Sequence, residues 1–340
     1  MLVFVGWYGR GNCGDEAFKD VHEMLFPTQE KVWVDDRADM SFVPKSAIYV
    51  LGGGDVVSDF YIHKIPPDQK FFMYGVGLAS REQRDYVASM RDRLLGVWVR
   101  NSEDATALAA VGVPARFTPD IVFQLGEVVG ACDTSRLPRS GDRKMLLVFP
   151  SNNGPEAAAR QRDLGAYHYY EFMIAEMAKT LDYIGKYYDI MFVPLSSNEN
   201  DNDIVWALRT SSLMKNKNNV TIMDRRLTPI EVAALTSKAN MVMSMKFHGL
   251  IFALLAARPF VNIGLTRKTQ LLCEDNDLQH LCVPRHSFSY DRVLRCLKDA
   301  EAPDALAAVT DVSARLRASA KSEGSLFARQ VETVLREVGP

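Results

Sequence analysis

Short apolar runs that end in glycine turns and lead into amphipathic stretches recur along this chain, and that alternation admits few folds. The first run, residues 2–5, enters a glycine loop and then a stretch of helical periodicity over residues 15–25. Residues 31–34 and 47–51 are further strand candidates, the second running straight into Gly52-Gly53-Gly54. Residues 71–74 enter Gly75-Val76-Gly77, and a helical pattern over 81–95 leads to the run 96–99. Residues 102–110 read as a helix with Ser102 as N-cap and Glu103-Asp104 in its first turn. Strands alternating with helices make a parallel sheet covered on both faces.

Periodicity is lost over residues 130–144, which carry Pro138, Ser140 and Gly141, and then the alternation restarts. Strands are expected at 145–149, 190–193, 220–223, 240–244 and 260–263, with helices at 169–187, from 203, and at 248–256. Thr228-Pro229-Ile230-Glu231 is a capping box with proline at the first helical position, so another helix starts there. The run 304–338 is helical and rich in Ala, Leu, Arg and Glu. The pattern predicts an α/β chain of two Rossmann-like domains facing across a cleft. Their expected bounds are 1–127, a linker at 128–143, 144–300, and a C-terminal helical segment at 301–340. The 340 residues suit two domains of roughly 150 each.

A net charge of −2 offers no basic face to a nucleic acid, and 24% charged with 10% aromatic residues excludes disorder for most of the chain. The most apolar stretch, 250–265, is interrupted by Arg258-Pro259 and falls short of the roughly 18 apolar residues of a membrane span. The opening MLVFVGWYGRGNCGDE has no basic segment and has glycines where a signal peptide needs a continuous apolar core, so a cytoplasmic protein is expected. Cys13, Cys132, Cys273, Cys282 and Cys296 have no C-x-x-C spacing and read as reduced, structural thiols.

Gly9-Arg10-Gly11-Asn12-Cys13-Gly14 fits the dinucleotide fingerprint G-x-G-x-x-G, and Asp35-Asp36 lie about 21 residues past its last glycine. Against a dinucleotide, Asp15 and Glu16 follow at once, two carboxylates where a helix N-terminus would receive a pyrophosphate. A tight turn followed by well-placed helix-start acids is the other reading. Gly52-Gly53-Gly54-Asp55 is a second strand-end loop at which backbone approaches closely. Ligands of open α/β sheets sit beyond the carboxyl ends of strands, so both loops point to one crevice.

The segment from Asn240 to Lys268 carries the most chemistry. A buried strand ends at Ser244, a turn holds Lys246 and His248, an apolar helix follows, and a further strand returns to Arg267-Lys268. A histidine near a helix start, between cations, suits an acid/base facing an anionic substrate. His22, His63, His168, His280 and His286 lack metal-ligand spacing, and the aromatic group at 167–170 reads as helix packing. Neither G-x-S-x-G nor a Walker A sequence occurs.

These segments, taken together, resemble the polysaccharide pyruvyl transferase family. The resemblance runs through Gly9-Arg10-Gly11-Asn12-Cys13-Gly14-Asp15-Glu16-Ala17, Gly52-Gly53-Gly54, Val99-Arg100-Asn101-Ser102 and Thr118-Pro119-Asp120. It is clearest at Lys246-Phe247-His248 followed by Phe252-Ala253, Pro259 and Lys268. It implies a GT-B-like pair of domains, with the last helix returning to the first, and transfer of a pyruvyl or enolpyruvyl group from phosphoenolpyruvate to sugar hydroxyls, giving a pyruvate ketal. In that scheme His248 is the general acid and Asp15 assists deprotonation. Lys246, Arg267, Lys268, Ser151 and Asn153 face the donor, while Gly11, Asn12, Glu16, Gly53, Gly54 and Asp55 face the acceptor. No metal or other cofactor is required, and the partner is a sugar, glycan or lipid-linked saccharide, with room for peripheral membrane association.

The chain departs from the family at three places. Lys246 stands where arginine is usual, Leu147-Val148-Phe149-Pro150-Ser151-Asn152-Asn153 lacks the usual strand-end arginine, and Ile263-Gly264-Leu265-Thr266 lacks the usual aromatic residue. A GT-B glycosyltransferase with a nucleotide-sugar donor and a non-catalytic glycan-binding relative therefore stay open on the sequence.

Overall fold

The computed structural model describes the chain except for residues 79, 139, 140, 199, 200, 265, 339 and 340. Ser140 of the expected linker and Leu265 of the departing family loop lie outside the described residues. The chain divides into two compact units. One comprises Met1–Arg10, Gly14–Leu125 and the chain from Arg315 on; the other comprises Gly11–Cys13 and Gly126–Ala314. Residues 128–143, read above as a linker, group with the second unit, where Leu137 is buried.

In the first unit the described strands are β1 (Leu2–Val5), β2 (Lys31–Val34), β3 (Ile48–Gly54), β4 (Phe71–Val76), β5 (Leu94–Val99) and β6 (Arg116–Phe117). They form one parallel sheet in the order β2-β1-β3-β4-β5-β6. Its helices are α1 (Cys13–Leu25), α2 (Asp59–Ile62), α3 (Arg81–Ser89) and α4 (Ser102–Ala110). β1, β3 and β4 are buried along their whole length, as sheet strands covered on both faces must be.

The second unit holds β7 (Lys144–Phe149), β8 (Tyr188–Phe192), the two-residue pair β9 (Ser197–Asn198) and β10 (Asp201–Asn202), β11 (Val220–Ile222), β12 (Met241–Ser244), β13 (Phe260–Gly264) and β14 (Cys282–Pro284). Its main sheet is parallel, in the order β11-β8-β7-β12-β13-β14. The helices are α5 (Asn153–Gln161), α6 (Leu164–Ile184), α7 (Asp203–Leu213), α8 (Pro229–Lys238), α9 (Phe247–Leu255), α10 (Arg267–Glu274) and α11 (Tyr290–Ala300); α12 (Pro303–Val338) ends the chain. The Thr228 capping box forms as expected, with both of its reciprocal hydrogen bonds present. Among the described residues no helix is long and apolar enough to cross a membrane.

Three local expectations are corrected. The helix expected over 81–95 stops at Ser89, and β5 starts at Leu94. Between them the Arg93 guanidinium donates to the carbonyls of Gln69, Ile65 and Pro66, which pulls the chain out of helical geometry. Asn101, not Ser102, is the N-cap of α4; its side chain donates to Asp104 rather than accepting from the backbone. His248 lies inside the first turn of α9, one residue past its start at Phe247, not in a preceding turn.

The first unit closes on residues of α12. Phe327 is fully buried and stacks on Tyr74 at 3.8 Å, with edge contacts to Trp98 (5.3 Å), Phe72 (5.7 Å) and Phe26 (5.8 Å). Polar groups frame this cluster: Trp98 Nε1 donates to Glu323 at 3.0 Å, and Arg116 binds the same carboxylate through Nε and Nη2 at 2.7 and 2.8 Å. Phe327→Ala should therefore cost about 3–5 kcal/mol of unfolding free energy, read by urea titration; a loss below about 1 kcal/mol would contradict this packing.

His22 is part of the same core. It stacks on Phe4 at 3.9 Å, accepts the Trp33 indole N–H at Nδ1 (3.3 Å), and burial pushes its pKa from 6.5 down to about 3. Below pH 6.5 the unfolded chain takes up a proton that the folded chain refuses, so this residue subtracts stability as pH falls from 6.5 to 3. His22→Phe should flatten that part of the stability profile in urea unfolding across the range, and an unchanged slope would sink the assignment.

Candidate active site

Each sheet reverses its strand order once beside its first strand, between β1 and β3 in the first unit and between β7 and β12 in the second. Crevices beyond the carboxyl ends of strands at such reversals are where open α/β sheets bind ligands. Most of the candidate residues fall at these two places.

In the first unit, β1 leads through Gly6 and Tyr8 into the start of α1. Tyr8 Oη donates to the Gly52 carbonyl at 2.7 Å, tying this loop to the triple glycine. Gly53 has φ +74°, and a Cβ there would lie 2.1 Å from the Phe18 ring, so only glycine lets α1 sit this close. Asp15 is nearly buried, and Glu16 accepts the Gly9 N–H at 2.6 Å and pairs with Lys19 at 2.7 Å. Asp55 meets the buried Arg100 guanidinium, which also approaches Asp120 at 3.7 Å. Three of the quoted segments thus converge on one buried ion group. Arg10 pairs with Asp35 at 2.6 Å and with Asp36, so the two acids that follow the glycine fingerprint are engaged by an arginine of that loop.

The second unit's reversal gathers Ser151, Asn152, Asp203, Lys246 and His248. Lys246 is the N-cap of α9 and lies between two carboxylates, Asp201 at 2.6 Å and Asp203 at 2.9 Å. Burial disfavours its charge, but Asp203 and Asp201 outweigh that and raise its pKa. Asp203 has no solvent exposure; its carboxylate accepts N–H groups from Leu195 (3.1 Å), Ser196 (2.8 Å) and Asn152 (3.3 Å). Burial still pushes its pKa up to about 7, with Lys246 pulling the other way and Asp201 adding to the rise. Lys246, expected on the donor, thus already pairs with two carboxylates of its own unit.

His248 packs edge-on against Phe247 at 5.4 Å, and the Lys268 ammonium sits 5.5 Å over the Phe247 ring. Lys268 and His248 thus each contact the Phe247 ring. Ser151 is buried and Asn153, the first residue of α5, is exposed. Arg267 is exposed and pairs with Glu274 at 2.9 Å.

Sequence reading named Gly11 but missed what surrounds it. Gly11 and Cys13 join Ser196, Ser197, Asn202 and Arg226 around a pocket of about 320 Å³ at the carboxyl ends of β8 and β11. Ser197 N–H donates to the Gly11 carbonyl at 3.1 Å, Cys13 N–H donates to Leu195 at 2.7 Å, and Arg226 donates to Ser197 Oγ at 2.5 Å. Gly11 has φ +72°, and a Cβ there would lie 2.6 Å from Arg226 Nη2. Among the described residues no carboxylate pairs with Arg226. The dense polar run 196–203, just past the end of β8, was the one available signal for this region.

The architecture is that of GT-B glycosyltransferases and related epimerases. UDP-GlcNAc 2-epimerase from Neisseria meningitidis, solved with UDP-GlcNAc, is similar at a TM-score of 0.62 and 10% identity, covering 98% of this chain and 99% of that one. The S. aureus MnaA–UDP structure gives 0.60 and 9%, covering 91% and 90%. The glycotransferase of kitacinnamycin gives 0.50 and 12%, covering 97% and 98%. At such identities the likeness concerns the fold alone. No curated protein matches the sequence. The profile of the polysaccharide pyruvyl transferase family matches residues 12–266, and the chain belongs to that family, a family of transferases.

The Lys246 pair yields a stability test. Lys246→Met strands a buried carboxylate and should cost about 3–5 kcal/mol in urea unfolding near neutral pH, with much of the loss recovered in Lys246→Met/Asp203→Asn. Unchanged stability together with weakened donor binding would return Lys246 to the donor.

Proposed function

We propose that the protein transfers a pyruvyl group from phosphoenolpyruvate to two hydroxyls of a sugar in a glycan or glycan precursor, forming a pyruvate ketal. The observation that carries this reading is His248 in the first turn of α9, at the strand-order reversal of the second unit and inside the family-matched segment. In this scheme His248 protonates the donor's methylene carbon, leaving an oxocarbenium-like centre. A sugar hydroxyl adds to this adjacent, phosphate-bearing carbon and loses its proton, with Asp15 assisting. Phosphate departs, a second hydroxyl adds, and loss of its proton closes the ketal.

The donor's phosphate and carboxylate need cations in this scheme. With Lys246 held by Asp201 and Asp203, we assign that role to Lys268 and to Arg226, Arg267 being a supplementary cation. Ser151 and Asn153 supply neutral hydrogen bonds where the family's strand-end arginine is absent. Gly11, Asn12, Glu16, Gly53, Gly54 and Asp55 remain the proposed acceptor side. The steps need protonation and charge neutralisation, and no cofactor enters them.

Incubation with phosphoenolpyruvate and acceptor pools should release phosphate and yield pyruvylated sugar by mass spectrometry. Hydrolysis of UDP- or GDP-sugars without phosphoenolpyruvate turnover would instead mark a glycosyltransferase, and binding without turnover a glycan-binding relative. His248→Asn should keep the fold and lose about 10²–10⁴-fold in turnover. Activity within a few-fold of the wild type would remove His248 from the mechanism.

A further inference from the structure

Three of the five cysteines, Cys273, Cys282 and Cys296, gather on α10, β14 and α11 of the second unit. Asn262 of β13 is fully buried, and its Nδ2 donates to Cys282 Sγ at 3.2 Å and to Cys273 Sγ at 3.6 Å. The two thiols therefore share one amide nitrogen. Cys282 stands opposite Asn262 in the β13–β14 register, while Cys273 is in the last turn of α10. We propose that Cys273 and Cys282 are a dithiol site that closes reversibly to a disulfide, with a small-molecule disulfide such as oxidised glutathione as the oxidant.

The pair is asymmetric in the way that such an exchange needs. Cys282 is half-buried, so a small disulfide reaches it, whereas Cys273 is 1% exposed. The neighbouring Cys273 thiol lowers the Cys282 pKa, and Cys282 together with burial raises that of Cys273. Attack accordingly starts at Cys282, whose thiolate displaces one glutathione thiolate and leaves a mixed disulfide. Cys273 then attacks the Cys282 sulfur, its proton passing to the departing glutathione sulfur, which leaves as the second thiol. Two protein thiols are oxidised to one disulfide and one oxidised glutathione is reduced to two thiols. Cys296 stands aside: its Sγ donates to the His280 carbonyl at 3.6 Å, and burial pushes its pKa to about 12.

Closure would bond α10 to β14 covalently. The first turn of α10 carries Lys268, so the tie fixes the helix that presents this cation. The proposal does not depend on which donor the enzyme uses.

The test is a thiol count on the folded wild-type protein equilibrated in oxidised and reduced glutathione, then quenched by acid and alkylated. The five thiols should fall by two, return on reduction, and map by tandem mass spectrometry to a Cys273–Cys282 link. Cys296→Ser should keep the link, and Cys273→Ser should stop at a glutathione adduct on Cys282. Persistence of all five thiols in the oxidising buffer, or a link that uses Cys296 instead, would overturn the proposal.

Discussion

A single buried carboxylate organises the carboxyl edge of the second sheet. Asp203 takes an N–H from the turn after β7, two from the turn after β8, and the ammonium of Lys246 from the turn after β12. A carboxylate with no exposure is tolerable only when such donors surround it, so the requirement runs in both directions. The turns satisfy the charge, and the charge fixes the turns. His248 inherits its position from this arrangement, because Lys246 is the N-cap of the helix that carries it. The first turn of α9 is set before any substrate arrives.

The first unit solves a similar problem with the sign reversed. There the buried ion is a cation, Arg100, which reaches Asp55 after β3 and Asp120 after β6. A third carboxylate, Asp104, accepts the Leu78 N–H and pairs with Arg84 at 2.9 Å, so α3, α4 and the turn after β4 are joined as well. Charged groups at these edges act first on the backbone. Asp55, proposed on the acceptor side, is therefore also one of the residues that shape the turn.

What was legible in the sequence is what is local. Apolar runs, glycine turns and the Thr228–Glu231 capping box are encoded within a few residues, and they led to two parallel α/β sheets. The site's charge pairing was not legible, because Lys246 finds Asp201 across 45 residues of chain and nothing in its own neighbourhood names that partner. Lys246 read alone is a cation awaiting an anion; in the fold the anion is already there. Short elements escaped for a different reason: β6 has two residues and β14 three, too few for any periodicity. The early end of α3 depends on Arg93 reaching carbonyls more than twenty residues back, again a tertiary effect that overrides local pattern.

The two sheets differ in strand order, and the difference explains why their loops carry different chemistry. In the first unit β3 lies directly beside β1, so the reversal brings together two glycine loops, and backbone close approach dominates: Tyr8 on Gly52, Phe18 on Gly53. In the second unit β8 and β11 follow β7 on one side before β12 starts the other. The chain that leaves β8 can then fold back over the edge as β9 and β10, delivering Asp201 and Asp203 to Lys246 and placing Ser197 against Arg226. That excursion neutralises one cation while leaving Arg226 without a carboxylate among the described residues. Topology thus decides which cation of this edge is neutralised and which is left, among the described residues, with a hydroxyl partner alone.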